Sequence, residues 1–122
     1  MKTYKYFDLN EFDSPDAVGS GAEFMSEDFL TKLNSARHEA GVPFTITSGY
    51  RSQEHNDSLE HSVPDSAHTK GLAADIAVES SSDRYKIIKA LINQKFNRIG
   101  IANGFIHVDD DKSKAQGVAW LY

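Results

Sequence analysis

An Asn-Gly pair at positions 103 and 104 stands between two short runs, Arg98-Ile99-Gly100-Ile101-Ala102 and Phe105-Ile106-His107-Val108-Asp109. Asn-Gly flanked by alternating apolar residues is the strongest short-range mark of a β-hairpin. A two-residue turn there sets the register. Ala102 faces Phe105, Ile101 faces Ile106, Gly100 faces His107, Ile99 faces Val108 and Arg98 faces Asp109. Opposed residues point to the same side of a sheet, so Ile99, Ile101, Ile106 and Val108 cover a core while His107 and Asp109 emerge on the other face. The glycine opposite His107 is expected to leave open space beside its imidazole.

The rest of the chain is read around this hairpin. Residues 1–25 hold the anchors Tyr4, Tyr6, Phe7, Leu9 and Phe12 and then a loop dense in turn residues, which together predict an N-terminal strap. Ser26 is a suitable N-cap with Glu27 and Asp28 in the first turn. Phe29, Leu30, Leu33, Ala36 and Ala40 recur at helical spacing up to Gly41, which predicts a helix over 26–40. Residues 42–47 predict a buried strand, with Arg51 just beyond its end. A short helix follows over 52–60, then a loop through Val63-Pro64-Asp65-Ser66 that delivers His68. Residues 72–78 predict a second strand in which Ala73, Asp75 and Ala77 share a face. Ser82 or Asp83 caps a helix ending near Lys95, with Tyr85, Ile88, Leu91 and Ile92 as its apolar stripe. The hairpin packs under that helix, and residues 118–122 predict a last strand.

A chain of 122 residues without cysteine is one domain, spanning residues 1–122, and folds without disulfides. Any transition-metal site in it must be built from histidine, carboxylate and water. The net charge of −5 with mixed signs along the chain argues against a nucleic-acid partner, which needs a basic patch. No run approaches the apolar length of a membrane span, and the N-terminal residues do not form a signal peptide.

Of the five histidines, His38, His55 and His61 read as surface or satisfied core side chains. His68 and His107 differ. His68 lies in a loop ahead of Gly71, which permits a tight entry into the strand. Asp75 then falls among Leu72, Ala73, Ala74, Ile76, Ala77 and Val78, where a lone carboxylate is unfavourable unless it is paired or bound to a metal. His107 repeats the pattern between Ile106 and Val108. Two histidines and an aspartate are the ligand types of catalytic zinc, where three protein ligands leave a fourth position open.

The segments Ser66-x-His68-x-x-Gly71-x-Ala73-x-Asp75, Thr47-Ser48-Gly49-Tyr50-Arg51-Ser52 and Phe105-Ile106-His107-Val108-Asp109, in this order, resemble the M15 peptidases. These are the zinc D-alanyl-D-alanine carboxypeptidases and L-alanyl-D-glutamate endopeptidases, and the length is similar to the compact branch found in phages. The resemblance runs over nearly the whole chain. It implies the hedgehog/D,D-peptidase fold, an α+β domain with a mainly antiparallel sheet and helices packed on one face. It implies Zn2+ held by His68, Asp75 and His107, and it assigns Arg51 to a substrate carboxylate or polarised carbonyl. A guanidinium suits that role because its rigid fork matches a carboxylate. Relatives place an acidic residue three positions before the last zinc histidine; here that position is Gly104. Asp109, on the same strand face as His107, is the nearest acidic candidate for general base, with a supporting carboxylate or a salt bridge to Arg98 as the other reading. Ser66 is assigned to loop capping or ligand bonding and to substrate binding, and Gln53 to the cleft lining.

The resulting expectation is a zinc metallopeptidase hydrolysing peptidoglycan stem peptides or cross-links, acting at the cell wall. The alternatives are a zinc-stabilised cell-wall-binding module without catalysis, and a domain with no metal.

Overall fold

The computed structural model describes residues 2–60 and 62–122; the reading of His61 lies outside them. Among the described residues five strands form one sheet: β1 (Thr45–Ser48), β2 (Ala73–Ala77), β3 (Arg98–Ile101), β4 (Phe105–Asp109) and β5 (Val118–Leu121), in the spatial order β1-β2-β4-β3-β5. All pairings are antiparallel except β3 with β5. The helices are α1 (Ser20–Phe24), α2 (Glu27–Ala40), α3 (Gln53–Ser58) and α4 (Ser81–Asn93), with single 3-10 turns at Leu9–Phe12 and Ala67–Lys70. The chain is thus α+β with a mainly antiparallel sheet, as expected.

The hairpin register is the one the alternation demands: Arg98 pairs with Asp109, Ile99 with Val108, Gly100 with His107 and Ile101 with Ile106. The Ala102 amide closes the turn on the Phe105 carbonyl at 3.0 Å. Strand β2 pairs with β4 so that Asp75 lies beside His107 and Ala73 beside Asp109. One face of the sheet therefore carries Ala74, Ile76, Ile99, Ile106 and Val108, all buried in the core with Phe29, Leu30 and Leu33 of α2 and Ile87 and Leu91 of α4. The opposite face carries Asp75, His107 and Asp109. Each core truncation such as Leu33→Ala removes packing worth about 2–5 kcal/mol.

Helix α2 starts where its cap predicts: the Ser26 side chain accepts from the Phe29 amide, and Gly41 ends it at φ 70°. Helix α4 departs from expectation. Its cap is Ser80, whose hydroxyl accepts from the Asp83 amide, and its buried stripe is Ile87, Ala90 and Leu91. Tyr85 and Ile92, expected in the core, are exposed. The face turned to the core is therefore Ile87, Ala90 and Leu91, with Ile88 partly buried beside it. Strand β1 is shorter than expected, beginning after Pro43, whose missing N–H cannot join a ladder. In the strap, Phe7 and Phe12 are buried as anchors, but part of the expected loop forms α1.

Candidate metal centre

Strand β2 supplies Asp75, strand β4 supplies His107, and the 3-10 turn Ala67–Lys70 supplies His68. That turn is short and firmly held. Ser66 caps it, its hydroxyl accepting from the His68 amide at 3.2 Å, and Gly71 ends it at φ 70°. A Cβ on Gly71 would stand 1.9 Å from the Phe24 carbonyl oxygen. Only glycine therefore satisfies both the left-handed backbone and the contact that seats the turn.

One ligand atom from each of His68, Asp75 and His107 lies within 4.8 Å of the others. His68 Nε2 is 3.4 Å from Asp75 Oδ1, and His107 Nδ1 is 2.9 Å from the same oxygen. The far nitrogen of each ring is engaged. His68 Nδ1 donates to the Gly49 carbonyl at 2.7 Å, which leaves the Nε2 lone pair facing the cluster. His107 Nε2 meets Asp109 Oδ2 at 2.7 Å. With a proton on Nε2, a neutral His107 turns a lone pair toward Asp75, and the contact is then satisfied only by a second proton or by a cation. Burial pulls the His107 pKa down, but the hydrogen bonds with Asp109 and Asp75 outweigh it and the pKa is raised. Burial pushes Asp75 up, but the bonds from His107 and His68 outweigh it and hold the carboxyl below the usual range. Two nitrogens and a carboxylate oxygen, each aimed at one point by a partner behind it, match the donor set and outer support of a divalent transition metal.

Arg51 reaches this cluster through a bulge. Between Ile46 and Ser48 the β1–β2 register shifts by one residue, which turns the chain out of the strand ahead of Gly49. The Arg51 amide donates to the His68 carbonyl at 3.1 Å. Its guanidinium lies 3.6 Å from Asp75 Oδ2, with Nε donating to Ser48 Oγ at 3.1 Å.

A cleft of about 430 Å³ opens over the cluster, lined among others by Arg51, Glu60, Ser66, His68, Asp75 and His107. The structure brings Ser66, Arg51 and the three candidate ligands together, as the sequence predicts. Gln53 is a correction: it does not line the cleft but donates to Asp57 Oδ1 at 2.8 Å and the Pro64 carbonyl at 3.3 Å, propping the loop beneath. Gly100 is a second correction. The space beyond it is filled, since a Cβ there would stand 2.7 Å from Trp120 Nε1. Trp120 packs 5.6 Å from the His107 ring and walls the cleft together with Tyr122. Sequence reasoning missed both rings, although strand parity places Trp120 and Tyr122 on one face of residues 118–122.

Asp109 also lies on the cleft, beside His107. Its Oδ1 accepts from Arg98 Nε at 2.7 Å and from the Asp111 amide at 3.1 Å, while Oδ2 meets His107 Nε2. Both oxygens are used, and the carboxylate sits behind the imidazole, on the side away from Nδ1 and the cluster. Burial raises its pKa, but the His107 hydrogen bond and the Asp111 amide lower it further than burial lifts it. This arrangement matches the other reading of Asp109, a supporting carboxylate salt-bridged to Arg98. His38 and His55 lie outside the cleft; the former pairs with the Tyr6 hydroxyl at 2.6 Å.

Comparison with curated proteins returns no match. A family profile described as peptidase M15 matches residues 5–109, which include all three candidate ligands and Arg51. With that match covering most of its length, the chain belongs to the M15 peptidase family.

Proposed function

We propose that this peptidase is zinc-dependent and hydrolyses peptide bonds in the stem peptides or cross-links of peptidoglycan, acting at the cell wall. The observation that carries the proposal is the convergence of His68 Nε2, Asp75 Oδ1 and His107 Nδ1 on one point, with the opposite nitrogen of each ring already bonded. These three residues would hold the ion and leave a coordination position open. A zinc ion so bound lowers the pKa of water toward about 7 and polarises a carbonyl.

The chain's own residues supply the rest. In this reading Arg51 pairs with a substrate carboxylate or with oxyanion charge developing on the scissile carbonyl. Its 3.6 Å contact with Asp75 is loose enough to yield to a better partner. Lys114 also lines the cleft, so a peptide bearing carboxylates finds cations there despite the chain's net charge of −5. Trp120 and Tyr122 cover the His107 side and limit water. Asp109 keeps the Nε2 proton of His107 in place and so directs Nδ1 inward.

The test is hydrolysis of purified peptidoglycan by the zinc-loaded protein. His68→Ala or Asp75→Ala is expected to abolish peptide release while the protein stays folded, and undiminished release refutes the proposal. Zinc held at full occupancy with no release from any sacculus type would instead identify a wall-binding module.

A further inference from the structure

Helix α3 is a run of polar side chains, Gln53-Glu54-His55-Asn56-Asp57-Ser58, and the one residue it buries is Asn56, at 0 % exposure. A carboxamide shut away from water is unfavourable unless its oxygen and nitrogen are both matched. Here Nδ2 donates to the Val63 carbonyl at 2.9 Å, and Oδ1 lies 3.5 Å from Arg51 Nη1. We infer that Asn56 is a positioning residue for Arg51, a neutral acceptor that sets the direction of the guanidinium without taking up its charge. The inference rests on the role given to Arg51 above.

The fold holds Asn56 and Arg51 in one frame. The chain leaves β1 through Arg51 and enters α3 at the Ser52 cap, whose hydroxyl accepts from the His55 amide at 3.0 Å. Ser52 is itself clasped by the N-terminal strap: its amide donates to Ser14 Oγ at 3.0 Å and its hydroxyl to Asp16 Oδ2 at 2.6 Å. Asn56 stands one helical turn further on, its backbone amide donating to the Ser52 carbonyl at 2.9 Å. The Val63 carbonyl decides which end of the side-chain amide faces inward. As an acceptor it has to meet the NH2 end, which leaves the oxygen toward Arg51.

Three acceptors from three elements surround the guanidinium. Nε donates to Ser48 Oγ at 3.1 Å at the end of β1, Nη1 faces Asn56 Oδ1 at 3.5 Å, and Nη2 lies 3.6 Å from Asp75 Oδ2 in β2. Asp75 belongs to the donor cluster. Ser48 and Asn56 are therefore the contacts that hold the plane of the fork while Nη2 takes a substrate charge. At 3.5 Å the Asn56 contact joins a cation to the negative end of a buried dipole, where water does not screen it. A carboxylate at position 56 would instead pair with Arg51 and compete with the substrate for it.

The deciding experiment measures kcat and KM on a soluble stem peptide, and zinc affinity by chelator competition, for Asn56→Ala, Asn56→Asp, Arg51→Ala and the double variant Asn56→Ala with Arg51→Ala. Asn56→Ala is expected to lower kcat/KM by about 10–100-fold, moving whichever of kcat and KM Arg51→Ala moves. On the Arg51→Ala background the same substitution is expected to change kcat/KM by less than about twofold, because its partner is already gone. Asn56→Asp keeps the outline and the oxygen of the side chain, so it carries the comparison if Asn56→Ala does not fold. It is expected to stay at least about tenfold below wild type, because the added charge occupies Arg51. Zinc affinity is expected within a few fold of wild type throughout. Losses that multiply in the double variant overturn the assignment, as does wild-type kcat/KM in Asn56→Asp. Loss of zinc from either Asn56 variant overturns it too, because the residue then serves the metal site's structure. Wild-type kinetics in Arg51→Ala bring down the role of Arg51 instead, and the assignment with it.

Discussion

Asp109→Asn separates a supporting carboxylate from a catalytic one. In the wild-type protein Asp109 is almost fully buried and receives His107 Nε2 at 2.7 Å, Arg98 Nε at 2.7 Å and the Asp111 amide at 3.1 Å. Asparagine keeps one acceptor oxygen but carries no charge, so Arg98 loses its charged partner and keeps the Ala115 carbonyl, while His107 loses the group that fixes its tautomer. Weakening the support behind a ligating histidine lowers metal affinity by about 10–100-fold, equivalent to about 1.4–2.7 kcal/mol. Removing one partner of a buried ion pair destabilises by about 3–5 kcal/mol; the oxygen that remains places this case at the low end, near 3 kcal/mol. For 122 residues, an unfolding entropy of about 2.1 cal/mol/K per residue converts that loss into a Tm about 12 °C lower without metal. Chelator competition measures the first effect and thermal unfolding of the metal-free protein the second. A zinc Kd within twofold of wild type would refute the argument that Asp109 directs His107.

The two glycines at the ends of the site segments should respond oppositely. Gly71→Ala meets the Phe24 carbonyl and a φ of 70°, so urea unfolding should show a loss of at least about 1–2 kcal/mol from the left-handed backbone alone. Gly104→Ala meets nothing within 4 Å, and a change of more than about 1 kcal/mol there would contradict the open hairpin end. Asp111 tests pH dependence. Burial raises its pKa, but the Lys70 ammonium at 2.8 Å and Ser113 outweigh that and hold the carboxyl below the usual range. A depressed folded pKa contributes stability that is present above the ordinary carboxylate value and lost as pH falls toward the folded one. Relative to Asp111→Asn, the wild-type urea midpoint should therefore drop more steeply below about pH 4; parallel curves would contradict it.

Strand parity and caps are local properties, and the features that rest on them were legible. The alternation about Asn103-Gly104 alone put His107 and Asp109 opposite the core, and Ser26 and Gly41 bracketed α2. What escaped depends on partners distant in sequence. Nothing within residues 118–122 says that they pair parallel to β3, so the indole that fills the space over Gly100 was invisible from the hairpin. The stripe of α4 was misplaced for a related reason: a hydrophobicity count favours Tyr85 and Ile92, whereas the face buried in the core is Ile87, Ala90 and Leu91. Parity put Asp109 on the right face but could not tell which nitrogen of His107 it would meet. That distinction, set by ring orientation, is what puts it on the Nε2 side of the imidazole, away from Nδ1 and Asp75.

Mass spectrometry of muropeptides after digestion of purified sacculi tests the central claim most directly. The account predicts a defined peptide-bond cleavage in the stem or cross-link with the zinc-loaded protein, absent after chelation and restored by adding zinc. Intact muropeptides from a protein shown to carry one zinc per chain would contradict it.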